Sequence, residues 1–263
     1  MASDYFEVIA LIFWMLLFFL MEIVFPWRDH NHEKKFFRPL LATDSASLVL
    51  MFLGSGIMTG VFMQAFASFL EEFRKGDFEY HLQTLSWWKI PLGLLLIDFG
   101  TYWTHRSLHR VKFFKRAHKW HHSIEKINWL SGFRTSLIHG LFFTIIPQFV
   151  VPFIILRLNP IESGVVFTLQ FFFQLLAHVN MPWKVTHLFG IFVTPRFHRV
   201  HHAIDERAYN SNFAAIFTFY DRIFGTYKDP EQFDMDTMIF GLGDGKIESQ
   251  RTFKENLRYM IGL

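Results

Sequence analysis

Five apolar runs, each near the length that crosses a bilayer, govern what this 263-residue chain can fold into. A transmembrane helix needs about 20 consecutive, mainly apolar residues. Runs of this kind cover 6–25, 45–70, 87–103, 137–158 and 161–177. The first is broken only near its ends, by Glu7 and Glu22, and is closed by Pro26 and Trp27. The second is softened by Gly54, Gly56 and Gly60; the third is shorter and carries Asp98. A cleaved signal peptide is the rival reading of the first run. It fits poorly, because no basic segment precedes the run and no small-residue cleavage site follows it. Buried helices of a soluble core are the rival reading of the last three. Composition weighs against that: 51% of the residues are hydrophobic and only 19% charged, where a soluble domain carries about a quarter charged.

Charge placement gives the five runs a direction. They leave 26–44, 104–136 and 178–263 on one side, with 4, 8 and 10 Lys+Arg, or 22 of the 26. The other side keeps Arg74, Lys75 and Arg157, with Lys89 at the mouth of the third run. Positive residues favour the cytoplasm, so the N-terminus is expected outside and the C-terminus inside. The basic balance, +3 overall, is then topological. A nucleic-acid partner is not expected, because the cations are spread over three loops and the aromatics lie in apolar runs. The fold expected is all-α: a polytopic membrane protein with about five spans and a cytoplasmic, helical, His-rich cap. No internal repeat or low-complexity linker divides it. The more polar tail, 229–263, reads as an extension, so 1–263 is read as a single membrane-embedded domain.

Histidine is the compositional anomaly, at 14 residues. Eight fall in three groups: H-R-S-L-H with His105 and His109; H-K-W-H-H with His118, His121 and His122; and H-R-V-H-H with His198, His201 and His202. Helical residues three and four apart share a face, so each group presents its imidazoles together. An even number of runs separates the groups, which places all eight on one side of the membrane. Imidazole binds Zn, Fe, Cu and Ni, and a catalytic site needs only about three protein ligands per metal. Eight clustered imidazoles therefore point to two metals, whereas one HxxxH pair alone could be a solvated helix face. Cysteine is absent, which excludes disulfides, thiolate metal sites and a cysteine nucleophile.

Other polar residues lie near these groups. His178 ends the fifth run and is a candidate ninth ligand, with headgroup anchoring as the alternative. Gln174, four residues earlier, faces the same way and could contact the metal directly or through water. Asp98 is two turns before His105 and is a candidate acceptor for the outer N–H of a ligand imidazole, against simple solvation of a helix end. Asp221, with Asp205, follows the third group and is a further candidate of this kind. His139 and His187 are weaker candidates for a tenth ligand. His30, His32 and His81 read as loop residues.

The stretches D-F-G-T-Y-W-T-H-R-S-L-H (98–109), H-K-W-H-H-S (118–123), P-R-F-H-R-V-H-H (195–202) and Y-D-R-I-F-G-T-Y (220–227) together resemble the fatty acid hydroxylase / sterol desaturase superfamily. The resemblance covers about 98–228, half the chain. It implies an integral membrane, non-haem di-iron enzyme. Its metal ligands fall on His105, His109, His118, His121, His122, His198, His201 and His202, and the ligand before the last box falls on His178. Gln174 stands where some relatives carry another His. Asn212-Phe213-Ala214 and Tyr220-Asp221 depart from the common N-x-G and W-D, which bears on the substrate cavity and not on the ligands.

The function expected is hydroxylation of a fatty acyl, sterol or related lipid, using O2 and two iron atoms. No catalytic residue beyond the metal centre is expected. The chain has no flavin fingerprint and no cysteine for a thiolate-ligated iron–sulfur cluster, so an external reductase or electron carrier is the expected electron donor. Desaturation is the near rival. A metal-binding transporter or sensor is the rival from another class, but transporter ligands lie near the bilayer midplane, and these follow span ends. His32-Glu33 is not continued to HExxH, and no G-x-S-x-G occurs, which argues against a zinc protease and a serine hydrolase. A bacterial inner membrane and the endoplasmic reticulum both suit such a protein.

Overall fold

The computed structural model describes residues 2–27, 42–54, 57, 86–186, 188, 190–246, 251 and 253–262. Among them the chain is helical, with three isolated β-bridges and no strand. Helix α1 is Ala2–Val24, and α2 is Ala42–Gly54. Helix α3 is Lys89–Arg110 and α4 is Lys112–His122. Helix α5, Leu137–Ile145, continues as a π-helical stretch over Ile146–Ile155. Helix α6 is Pro160–His178, and α7 is Pro195–His202. The short α8, Phe219–Ile223, and the amphipathic α9, Phe253–Ile261, follow.

Among the described residues, two helical stretches are long and apolar enough to cross a membrane, Leu137–Ile155 and Pro160–His178. They match the fourth and fifth apolar runs. The first run lies in α1 and the third in α3. Most of the second, beyond Gly54 and Ile57, lies outside the described residues. Helix α1 leaves Ile9, Phe13, Leu16, Leu20 and Ile23 exposed along one side. Contiguous apolar surface of this kind suits lipid or a partner rather than water. Its other side packs on α6, where Trp14 and Phe18 meet Phe172.

Local chemistry sets the helix ends. Asn159 and Glu162 form a reciprocal capping box, and Pro160 occupies the first turn, so α6 starts there. Glu162 is buried, accepts from the Ser86 amide and lies 3.9 Å from Lys89 Nζ. Thr194 caps α7 by accepting from the Phe197 amide, with Pro195 next. Helices α3 and α4 break at Val111, which is extended (φ −86°, ψ 121°). In the π-helical stretch, Pro147 and Pro152 have no N–H to give, and wider bonds such as Leu156 N–H to Val151 O close the turns.

The main core gathers Phe18, Tyr102, Leu175, Val179, Phe197 and Phe213 around the inner ends of these helices. A smaller core, with Ile124, Val200, Phe233 and Phe240, includes Val200 of the third histidine group.

Candidate metal centre

Four helix ends converge. The end of α3 brings His105 and His109, and the last turn of α4 brings His118, His121 and His122. The last residue of α6 is His178, and α7 brings His198, His201 and His202. These nine imidazoles divide into two groups. One is His105, His109, His118, His122 and His201; the other is His121, His178, His198 and His202. Within each, one ring nitrogen per residue lies within 4.8 Å of all the others. The groups abut, with the rings of His122 and His202 4.7 Å apart between centroids.

The spacing suits a shared ion. His105 Nε2 lies 3.0 Å from His118 Nε2, and His109 Nε2 lies 3.1 Å from His122 Nε2. In the second group, His198 Nε2 is 3.1 Å from His178 Nε2 and 3.0 Å from His202 Nε2, and His178 Nε2 is 3.4 Å from His121 Nε2. With metal–nitrogen bonds of about 2.0–2.1 Å, neighbouring ligand nitrogens fall about 3 Å apart.

Tautomers supply a stricter test of fit. His105 Nδ1 lies 2.8 Å from the Phe213 carbonyl, His201 Nδ1 2.8 Å from the Ser211 carbonyl, and His178 Nδ1 3.0 Å from the Gln174 carbonyl. A carbonyl only accepts, so each Nδ1 carries the proton. Each Nε2 is then an open lone pair facing its group, which is the form a metal takes. His201 Nε2 is buried without a hydrogen-bond partner. Burial holds the rings neutral: His105 is pushed down to about 4 and His122 to about 3. His118, His121, His198, His201 and His202 are also pushed well below the ordinary value, first by burial and then by neighbouring histidines. The residues present therefore fit metal ions, and neither group contains a carboxylate among the described residues.

The two aspartates touch backbone amides rather than imidazoles. Asp98 accepts from the backbone amides of Ala215, Ile216 and Phe217, and no hydrogen bond joins it to an imidazole. Asp221 accepts from the Phe213 and Ala214 amides and from Thr226 Oγ1. Burial raises the Asp221 carboxyl above its usual value. Both carboxylates brace the loop whose Phe213 carbonyl orients His105. The backbone takes the orienting role because the chain between Ser211 and Phe217 passes directly against the rings. Asn212, inside this loop, adopts φ +55°, a left-handed conformation that Asn tolerates. Its side-chain amide bonds the Phe197 and Lys228 carbonyls. Asp205 instead caps the short turn at Glu206–Ala208 and pairs with Arg207.

Gln174 joins neither group. Its Nε2 donates to the Gly132 carbonyl, 3.0 Å away, because the 3-10 turn Ser131–Phe133 lies against α6 at that level. His139 is also outside both groups, with its Nδ1 3.3 Å from His118 Nδ1, on the far side of that ring from Nε2. His30, His32, His81 and His187 lie outside the described residues.

Several supports left no motif to read. Gly132 is one: a Cβ there would lie 2.8 Å from the His178 ring. Arg134 is buried and pairs with Asp44 of α2, tying that helix to the loop after the second His box. Glu22 accepts from the Trp129 and Asn180 amides and binds α1 to the same region. Arg199 is buried inside the third box, bonds the Val179 and Met181 carbonyls, and lies 3.8 Å over the Trp27 ring.

A cavity of about 580 Å³ opens on both groups, reaching His105 and His118 of one and His121, His178 and His198 of the other. Its walls are mainly aliphatic and aromatic, including Phe133, Phe149, Phe153, Phe167 and Phe171. The C-terminal helix α9 adds Leu257, Met260 and Ile261.

The family model described as "Fatty acid hydroxylase" matches residues 90–226, which contain all nine imidazoles and their supporting loop. The chain belongs to the fatty acid hydroxylase family. Similar proteins include alkylglycerol monooxygenase of Xenopus tropicalis, 29% identical over 250 residues, which is 91% of this chain and 50% of that protein. Ornithine lipid hydroxylase OlsE of Rhizobium tropici is 30% identical over 142 residues, 54% of this chain and 42% of that one. Delta(7)-sterol 5(6)-desaturase ERG3A of Gibberella zeae is 30% identical over 158 residues, 56% and 40% respectively. The chain thus spans half or less of the length of these family members. No solved structure matches it.

Proposed function

We propose that this family member is a membrane-embedded, non-haem di-iron oxygenase that hydroxylates a lipid. The observation that carries the reading is the pair of all-histidine groups, of five and four rings, opening on one apolar cavity. His105, His109, His118, His122 and His201 would hold one iron, and His121, His178, His198 and His202 the other. The bound irons would supply the activation of O2 required to attack an unactivated C–H bond. The chain's own residues bind, orient and exclude water. The Phe213, Ser211 and Gln174 carbonyls keep the Nε2 atoms of their rings unprotonated. The aromatic wall shapes a dry path for an alkyl chain entering from the bilayer. One oxygen atom of O2 enters the lipid and the other leaves as water, with two electrons and two protons consumed. An external reductase or electron carrier delivers the electrons. Comparative lipid mass spectrometry of cells with and without the protein tests this, and the expected product is a lipid heavier by one oxygen. Loss of two hydrogens instead would support desaturation, the second reading, favoured by the similarity to a sterol desaturase. No altered lipid would overturn both.

The arrangement in the membrane follows from the charge count. We propose a single membrane-embedded domain with five spans, the N-terminus outside, and the His-rich cap and C-terminus in the cytoplasm. Labels at Ser123 and at the C-terminus should report one side, and a label at Asp77 the other. Ser123 and the C-terminus on opposite sides would contradict both the span number and the shared site.

A further inference from the structure

Among the described residues three glutamines line the cavity, and one of them, Gln174, is hydrogen-bonded. On α6, Gln170, Gln174 and His178 recur at helical spacing, and all three line the cavity. Gln170 therefore lies about 12 Å along the axis from the histidine, at about 1.5 Å per residue. Gln148 reaches the same cavity from the π-helical stretch. That stretch and α6 run antiparallel through the Asn159 turn, with Phe153 against Phe167. Five residues back from Phe153 and three on from Phe167, both away from the Asn159 turn, lead to Gln148 and Gln170. Gln174 spends its amide on the Gly132 carbonyl. The side chains of Gln148 and Gln170 have no hydrogen-bond partner among the described residues.

Both side chains are half-buried, and a polar residue within a membrane helix is by default a functional one. Among the described residues, the lining contains no Asp, Glu, Lys or Arg, so none of these would compensate an ionic headgroup. A carboxamide both donates and accepts and matches a neutral oxygen or nitrogen group. We infer that Gln148 and Gln170 form a polar station, part-way along the cavity, that recognises a neutral hydrogen-bonding group of the lipid, such as an ether, ester or glycerol hydroxyl. The inference rests on the oxygenase reading and adds that a bare hydrocarbon chain is not the preferred ligand.

The test is equilibrium binding to purified, iron-loaded protein in nanodiscs. Three radiolabelled probes of equal chain length serve: a 1-O-alkylglycerol, the corresponding fatty acid and the corresponding alkane. Wild type should bind the alkylglycerol most tightly. Gln148→Leu and Gln170→Leu should each weaken its binding roughly tenfold, the worth of one hydrogen bond, and leave alkane binding and iron content as in wild type. Equal binding of the three probes by wild type, or unchanged alkylglycerol binding in both variants, would overturn the inference. If a variant does not fold, the wild-type preference alone decides. Iron content, measured on the same samples, reports separately on the oxygenase reading, because wild type without iron contradicts that reading whatever the probes do.

Discussion

Three backbone carbonyls, at Phe213, Ser211 and Gln174, decide which nitrogen of His105, His201 and His178 faces inward. No side chain can be mutated to remove them, so the testable supports lie one contact away. His139 is the clearest, with its Nδ1 against His118 Nδ1. His139→Ala should weaken metal binding about 10–100-fold, the usual effect of losing an outer-shell partner. His139→Asn places a polar atom near the Nδ1 position and should restore most of it; equal losses in both, by metal titration, would argue against an orienting role. Asp98→Asn swaps a buried acceptor of three amides for a group that also donates. It should cost about 1.5–3 kcal/mol of stability, read by thermal unfolding, with a smaller effect on metal affinity. The nine imidazoles were legible because helical spacing of three and four puts side chains on one face. Their carbonyl partners were not, because every residue has a carbonyl, and only the tertiary path of 211–217 selects two of them and the last turn of α6 the third. For the same reason Asp98 and Asp221 looked like partners of rings and proved to be braces of a loop.

Helix ends, rather than helix middles, build the site. His178 is the last residue of α6, and Gly132 of the 3-10 turn packs against its ring. A Cβ at position 132 would come within 2.8 Å of two ring atoms of His178, at the root of the ring rather than at a flexible tip. Gly132→Ala should therefore displace His178 and reduce metal in the four-histidine group, leaving helix content by circular dichroism as in wild type. Full metal content in that variant would mean that the turn yields. Asp44→Asn should destabilise by about 3–5 kcal/mol, because it leaves Arg134 buried beside a neutral partner. Chemical denaturation in mild detergent would measure it, and a loss under 1 kcal/mol would make the pair incidental. Starts of α6 and α7 could be read from Asn-Pro and Thr-Pro. The break at Val111 could not, since no Gly or Pro marks it.

For the molecule as a whole, the buried imidazoles couple folding to acidity. Unfolding returns His105 and His122 to their ordinary 6.5, while the folded protein holds them neutral to about 4 and about 3. The unfolded chain thus binds more protons between those values, and stability must fall as pH drops through that window. Melting temperature should decline steadily from pH 7 to pH 5, with metal released over the same range; a flat profile would mean the rings are not shut away from water. The apolar cavity, the two imidazole groups and the membrane-length helices all serve one reading, two irons held by histidine alone at the end of a lipid path. Metal analysis of protein purified without chelators measures it. Two equivalents of iron per chain are expected, falling together with turnover in His201→Ala and His121→Ala, which remove one ligand from each group. A wild-type preparation fully active with one metal or none would contradict it.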